Sequence, residues 1–328
     1  MEDAAPADLV DLIETSDLDG LVRRIDAACR EGDWPAIITL IARCDDAVLR
    51  GKQVWGAVHY AQYRLALDAP APQAAAVLTP GAGRFAPGPL WEVAASTHTW
   101  EELSAHLVDP TVRALVAQER ALRGEPVPAE AAGAVAELPL ARQPWEPEYP
   151  HAVYRPDGVD VAGPGLPDLA WCELGAPGAV VDDTESCEAL LDVVRPWLDE
   201  SSGRGVAVAV EGRAETAIRT LGPHRVRLAD IDLESALAVM VDAAASGGAF
   251  GKRRGTPAGR AAVWWALAVV LGMDHTWPVD PAQLGAEAAG LRWVVWDPGD
   301  QVGGWVYHLA VEDPEVGTAW AVSAVDAR

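Results

Sequence analysis

Phenylalanine and lysine occur twice each in these 328 residues, methionine three times and cysteine four times. Cys29, Cys44, Cys172 and Cys187 show no C-x-x-C spacing and no clustering with histidine. That pattern excludes a zinc finger or ribbon and predicts buried, reduced thiols. Basic side chains are scarce too: 25 Lys and Arg stand against 49 Asp and Glu, a net charge of −24. Residues 1–150 carry 12 basic and 23 acidic side chains and residues 151–328 carry 13 and 26, so the acidity belongs to the whole chain. Such a surface repels phosphates and anionic membranes at long range, and nucleic acid is not an expected partner. The longest strongly apolar run, "AAVWWALAVVLGM" at 261–273, has 13 residues, too few for a helix to cross a bilayer. Met1 precedes an acidic segment rather than a basic one with an apolar run, so no secretory signal is expected. The resulting expectation is a soluble cytoplasmic protein without a membrane partner.

Half of the residues are hydrophobic, enough to bury the cores of about two domains. From about residue 17 to 124 the pattern is helical. In "DWPAIITLIARCDDAVLR" the residues Trp34, Ile37, Ile41, Cys44 and Val48 recur at three- and four-residue steps. Asp33 can cap this helix, with Pro35 in its first turn. The next segment places Val54, Val58, Ala61 and Leu65 on one stripe after Gly51. A shift of 19 residues lays Leu21, Val22, Arg24, Asp26, Ala28 and Gly32 over Leu40, Ile41, Arg43, Asp45, Ala47 and Gly51. This weak repeat resembles the stacked helices of HEAT-like arrays, and a short array and a plain bundle both fit. Either would suit partner binding better than chemistry.

Residues 125–168 are dense in proline and glycine and read as a linker or inter-domain loop. From 169 to 328, strand-like runs such as "GVAVAVEG" alternate with helix-like runs such as "DLESALAVMVDAAAS". The tail reads as strands joined by turns. The expectation is α+β overall: an all-α array or bundle over 1–124, then an α/β domain whose mixed sheet includes some parallel pairing.

Four places could carry chemistry. His98, Glu102 and His106 are spaced for one helix face, but Thr99 with Glu102 forms a capping box that puts His98 ahead of the helix, so no metal is expected there. Asp182, Asp183 and Glu185 stand where strand-end carboxylates can hold magnesium, and equally where a helix needs a cap, the reading preferred here. Glu211, Gly212 and Arg213 close a buried strand and open a helix, a second-choice ligand site if the sheet is parallel. Outside these four, Trp293, Trp296 and Trp305 could line a face of the final strands without carrying chemistry themselves.

The fourth place is "ASGGAFGKRRGTPAGR", residues 245–260, inside 31 residues without a carboxylate. It departs from a Walker A loop in its first glycine, in the residue after the lysine and in the helix that precedes it. Thr256 can cap the following apolar helix, with Pro257 in the first helical position. Lys252, Arg253, Arg254, Thr256 and Arg260 could therefore converge on an anion. Two readings stay open: a site for a phosphate-bearing small molecule, or an internal anchor in which the arginines hold carboxylates of the protein itself. Trp264, one turn after Arg260, could stack on its guanidinium in either case.

The loop, the Trp-containing helix after it, "LRWVVWDPGD" and "LAVEDPEVGTAWAVSAVDA" together resemble an uncharacterised actinobacterial protein family. The resemblance covers residues 246–328 and implies no catalytic residue and no ligand. No triad, metal set or cofactor fingerprint assembles, and no cofactor is expected. The leading reading is a non-enzymatic interaction or scaffold protein with a helical partner-binding region. The second is an α/β enzyme or ligand-binding protein for a phosphate-bearing small molecule at 252–260.

Overall fold

The computed structural model describes residues 8–131, 137–299 and 303–327, so the expectation drawn from the N-terminal residues lies outside it. The chain divides into two compact units. One comprises Met1–Arg120, Glu125–Gly133 and Ala152–Asp160; the other comprises Ala121–Gly124, Ala134–His151 and Val161–Arg328. The stretch read as a linker thus contributes residues to both.

The first unit is built from helices α1 (Leu9–Glu14), α2 (Leu18–Glu31), α3 (Trp34–Leu49), α4 (Trp55–Asp68), α5 (Ala71–Ala76), α6 (Leu90–Thr97), α7 (Trp100–Ser104) and α8 (Pro110–Leu122), with a hairpin of β1 (Val153–Arg155) and β2 (Gly158–Asp160). The local signals work as expected. Asp33 accepts from the Ala36 N–H with Pro35 in the first turn of α3, and Thr99 and Glu102 form a complete capping box. On α4 the stripe Val54, Val58, Ala61 and Leu65 is buried. On α3 the innermost residues are Ile37, Leu40, Cys44 and Ala47, with Trp34, Ile41 and Val48 at the margin, so the buried stripe is rotated by about one residue. Helix α4 packs on α2, α3, α5 and α6. All of these partners lie within two helices of α4 along the chain, a pattern common to a short array and a plain bundle.

The second unit contains β3 (Ala170–Glu173), β4 (Ala179–Val180), α9 (Thr184–Asp192), α10 (Arg195–Asp199), β5 (Arg204–Glu211), α11 (Ala214–Thr220), β6 (Arg225–Ile231), α12 (Leu233–Ala245), α13 (Thr256–Val270), α14 (Pro281–Ala288), β7 (Arg292–Asp297), β8 (Gly304–Asp313) and β9 (Thr318–Ala327). Its seven strands form one sheet in the order β3-β6-β7-β8-β9-β5-β4. Every pairing among the described residues is antiparallel. The α+β class holds, while the expected parallel pairs are replaced: β5 leaves through α11 but finds β9 and β4 as neighbours, not β6. Helices α9, α12 and α13 cover one face of the sheet and α11 part of the other. Trp293 and Trp296, three residues apart, fall on opposite faces because a strand alternates with period two. Those tryptophans therefore line no common surface.

Candidate functional site

Helix α13 begins one residue earlier than a Thr256 cap requires. Gly255 is its N-cap, at φ 90°, a conformation that favours glycine, and Thr256 is the first helical residue. The loop before it is held from several sides. The Asp326 carboxylate, wholly buried, accepts from the Ala249 N–H (2.6 Å), the Ser201 hydroxyl accepts from Phe250 N–H (3.0 Å), and the N–H groups of Arg254 and Gly255 both reach the Ala245 carbonyl.

The five residues expected to gather around an anion go to different surroundings. Arg260 is fully buried and faces a carboxylate: its Nε lies 2.6 Å and its Nη2 2.7 Å from the two oxygens of Glu146. Arg260 also donates to the carbonyls of Pro139 (2.7 Å) and Ala141 (3.5 Å). Its donors are consumed within the protein, so it is withdrawn from any external ligand. Arg254 is half-exposed, 4.0 Å from Glu200. The Arg253 guanidinium donates to the Thr256 hydroxyl at 3.3 Å. Lys252 is partly buried, which lowers its pKa. The cavity lined by Arg253 and Thr256 measures about 10 Å³, room for one water at most.

Around Glu146 the geometry is complete. Its Oε1 also accepts from the Trp264 indole N–H (2.8 Å) and the Tyr149 hydroxyl (2.9 Å), and its Oε2 from the Gln143 N–H (2.7 Å). Trp145 packs on Trp264 with ring centroids 4.9 Å apart, and the Arg260 guanidinium lies 5.0 Å from the Trp264 centroid. Burial alone would raise the Glu146 pKa. The Arg260 hydrogen bonds and charge, with Gln143 and Trp264, outweigh it and leave the pKa below the ordinary glutamate value. The pair is satisfied on both sides, the arrangement a buried charge requires.

The second-choice site changes character. Because β5 is flanked by antiparallel strands, the ligand-gathering geometry of parallel strand ends is missing from Glu211, Gly212 and Arg213. Gly212 donates to the Gly317 carbonyl (2.8 Å), and Arg213 is the N-cap residue of α11 without a side-chain cap. Glu211 lines a cavity of about 910 Å³ together with Asp183, Glu287, Asp313 and Glu315, a lining that repels phosphate. Asp183 caps α9 through the Ser186 N–H and accepts the Trp320 indole N–H at 2.7 Å. His98 precedes α7 as the capping box demands, with its ring nitrogens on the carbonyls of Ala69 and Ala94.

In the helical unit a groove of about 520 Å³ runs along α2 and α3. Leu12, Ile25, Ile37 and Leu40 lie at its base but are buried, so its accessible surface comes from Ala27, Ala28, Ala36 and the charged rim. Asp17, Arg23, Arg24, Glu31 and Asp33 stand around the rim.

A family model described as a family of unknown function, DUF6183, matches residues 19–327, so it spans both units and extends far beyond the resemblance seen over 246–328. The chain belongs to DUF6183. No curated protein and no solved structure matches it. What sequence reading missed in this DUF6183 chain is the partner of its basic loop. Glu146 lies 114 residues before Arg260, inside the presumed linker. One signal was present: "PWEPEYP" puts two aromatic residues beside that glutamate, a composition that a solvated connection rarely has. The groove left no comparable signal, since small residues facing a solvent gap look like ordinary helix surface.

Proposed function

We propose that this protein is a non-enzymatic interaction protein whose helical unit receives a protein partner in the groove between α2 and α3. The groove itself carries the reading. Its volume of about 520 Å³ falls in the range of ligand sites, and its alanine walls leave space for inserted side chains. A phosphate-bearing ligand at 252–260 has less support, because Arg260 is spent on Glu146 and the space beside Arg253 is small. A cytoplasmic location belongs to the same reading and is supported by four unpaired cysteines, three of whose thiols burial pushes up to about pKa 11. An actinobacterial origin also belongs to it and draws on the excess of Ala, Val, Arg and Trp over Lys, Ile and Phe.

No helix among the described residues is long and apolar enough to cross a membrane. The test is a pull-down from lysate of the source organism with two baits, the native chain and Ala27→Trp, which fills the groove from a partly exposed wall position. A protein retained by the first and released by the second supports the reading. An identical set of captured proteins sinks it.

A further inference from the structure

Strand β3 ends the seven-stranded sheet, with β6 on one side and no strand on the other. The Leu174 N–H donates to the His224 carbonyl in the register of the β3–β6 ladder, so the even-numbered residues of β3 bond to β6. The backbone groups of Trp171 and Glu173 therefore point away from the sheet. Among the described residues their N–H groups have no partner, and the Glu173 carbonyl meets only the Cys172 thiol, at 3.6 Å. No proline and no bulge interrupts this edge. Trp171 is 52 % exposed, and the guanidinium groups of Arg225 and Arg227 lie 4.4 and 5.8 Å from its ring centroid. Arg225 pairs with Glu173 (3.2 Å) and Arg227 with Asp297, so this corner is balanced in charge within a chain of net charge −24. The opposite edge is stepped: β4 and the Val181 N–H, which donates to the Ala209 carbonyl, cover only the end of β5, so a strand laid along β5 runs into β4.

We infer that β3 is a dimerisation edge: a second copy of this chain adds its own β3 antiparallel to it across a two-fold axis, continuing the sheet from one copy into the next. The inference is independent of the groove reading. Centred on Cys172, the pairing sets Trp171 of each copy opposite Glu173 of the other, and every outward backbone group of both residues finds a partner. Centring on Glu173 instead would place two like charges directly opposite each other, and centring on Trp171 would pair Glu173 beyond the strand. In the Cys172 register, Glu173 of each copy comes beside the Trp171, Arg225 and Arg227 stack of the other, so charge and hydrogen-bond pattern are both self-complementary. The exposed indoles add apolar area. The contact is small and the acidity of the whole molecule opposes it at long range, so the dimer exchanges with monomer. Cys172 meets its counterpart on the axis in a non-hydrogen-bonded pair, whose Cα atoms lie about 4.5 Å apart, within disulfide reach.

The experiment is sedimentation velocity of the full chain over a concentration series in about 0.15 M NaCl, which screens the field of two acidic copies beyond about 8 Å. The same samples are cross-linked with diamide and read by peptide mass spectrometry. Expected is a monomer–dimer equilibrium and a dominant cross-link between two Cys172 thiols, which Cys172→Ser removes without altering the equilibrium. Glu173→Pro deletes an outward N–H that β6 does not use, and Trp171→Glu sets like charges across the axis. Each should weaken the dimer by roughly tenfold or more. Circular dichroism melts check that both variants fold, and if Glu173→Pro melts early, Trp171→Glu decides. A monomer at every concentration up to about 1 mM, a dimer indifferent to these substitutions, or one whose cross-links run through Cys29 or Cys187 overturns the inference.

Discussion

Arginine serves opposite purposes in the two units. In the sheet unit Arg260 is fully buried, forked onto Glu146 and roofed by Trp264; in the helical unit Arg23 and Arg24 stand exposed with no carboxylate of their own. The sequence advertises the first place, where basic residues cluster without an acid for 31 positions. It is silent about the second, where Asp17, Asp19 and Asp26 surround the pair. A local excess of charge in sequence thus marks where partners must be imported from elsewhere in the chain. Availability to a ligand is decided by what the fold supplies.

The strongest way to break that contrast is Glu146→Ala. It leaves a buried guanidinium unpaired and should cost about 3–5 kcal/mol in urea unfolding of the full chain. The double change Glu146→Met with Arg260→Met should recover much of that loss, because it removes both charges. A loss below about 1 kcal/mol for the single change would mean that the pair is not the anchor it resembles.

The acid response separates two groups in the sheet unit. His308, stacked on Trp296 with centroids 4.5 Å apart, is held neutral by burial. Its pKa falls to about 4, although the Asp297 charge and the Trp296 backbone pull the other way. The unfolded chain, with a histidine pKa near 6.5, then binds the extra proton, so stability falls as pH drops from 6.5 towards 4. His308→Phe should flatten that slope. Glu146 acts lower: its folded pKa lies below 4.5, so its contribution is complete above 4.5 and is lost as pH falls through the folded value. Glu146→Gln should flatten only that lower limb of a pH series of urea melts.

A smaller effect is expected where the ion pairs are wetter. Arg292 ties Glu215 (2.7 Å), Asp230 (2.6 Å) and Glu312 (2.8 Å) together near the surface, and Glu312 in turn accepts the Ala214 N–H that opens α11. After discounting for solvent, Arg292→Ala should cost about 1 kcal/mol, readable as a modest shift in urea midpoint. Least of all, Arg254→Ala and Arg23→Gln/Arg24→Gln should change stability by no more than about 0.5 kcal/mol. If the rim arginines proved as costly as Arg292, they would be structural and the contrast would narrow.

What was legible in the sequence was local. The Asp33 cap, the Thr99–Glu102 capping box and the α4 stripe each depend on residues within a few positions of one another, and all three are present. Strand positions were legible for the same reason. Strand partners were not, because alternation of helix and strand along the chain says nothing about which strand returns beside which. At Arg260 the limit was distance in sequence, not chemistry: an internal carboxylate was one of the two readings left open, and only the fold could say that Glu146, 114 residues away, pairs with it.

The order of the sheet also governs how the protein can be made. Strand β5 is bordered on one side by the two-residue β4 and on the other by β9, with which it pairs along its whole length. Between the end of β5 and the start of β9 lie on the order of 100 residues, a separation whose closure entropy slows strand pairing. At a synthesis rate of roughly 5–20 residues per second, β5 emerges several seconds before its main partner. During that interval "VAVAVE" is an unpaired, β-branched edge of the kind that recruits other strands. Helices α9 and α10, made before β5, and α11, made just after it, pack on the strand early but leave its β9 edge open, which makes the sheet unit dependent on an escort or on rapid chain completion in a way the helical unit, built from near neighbours, is not.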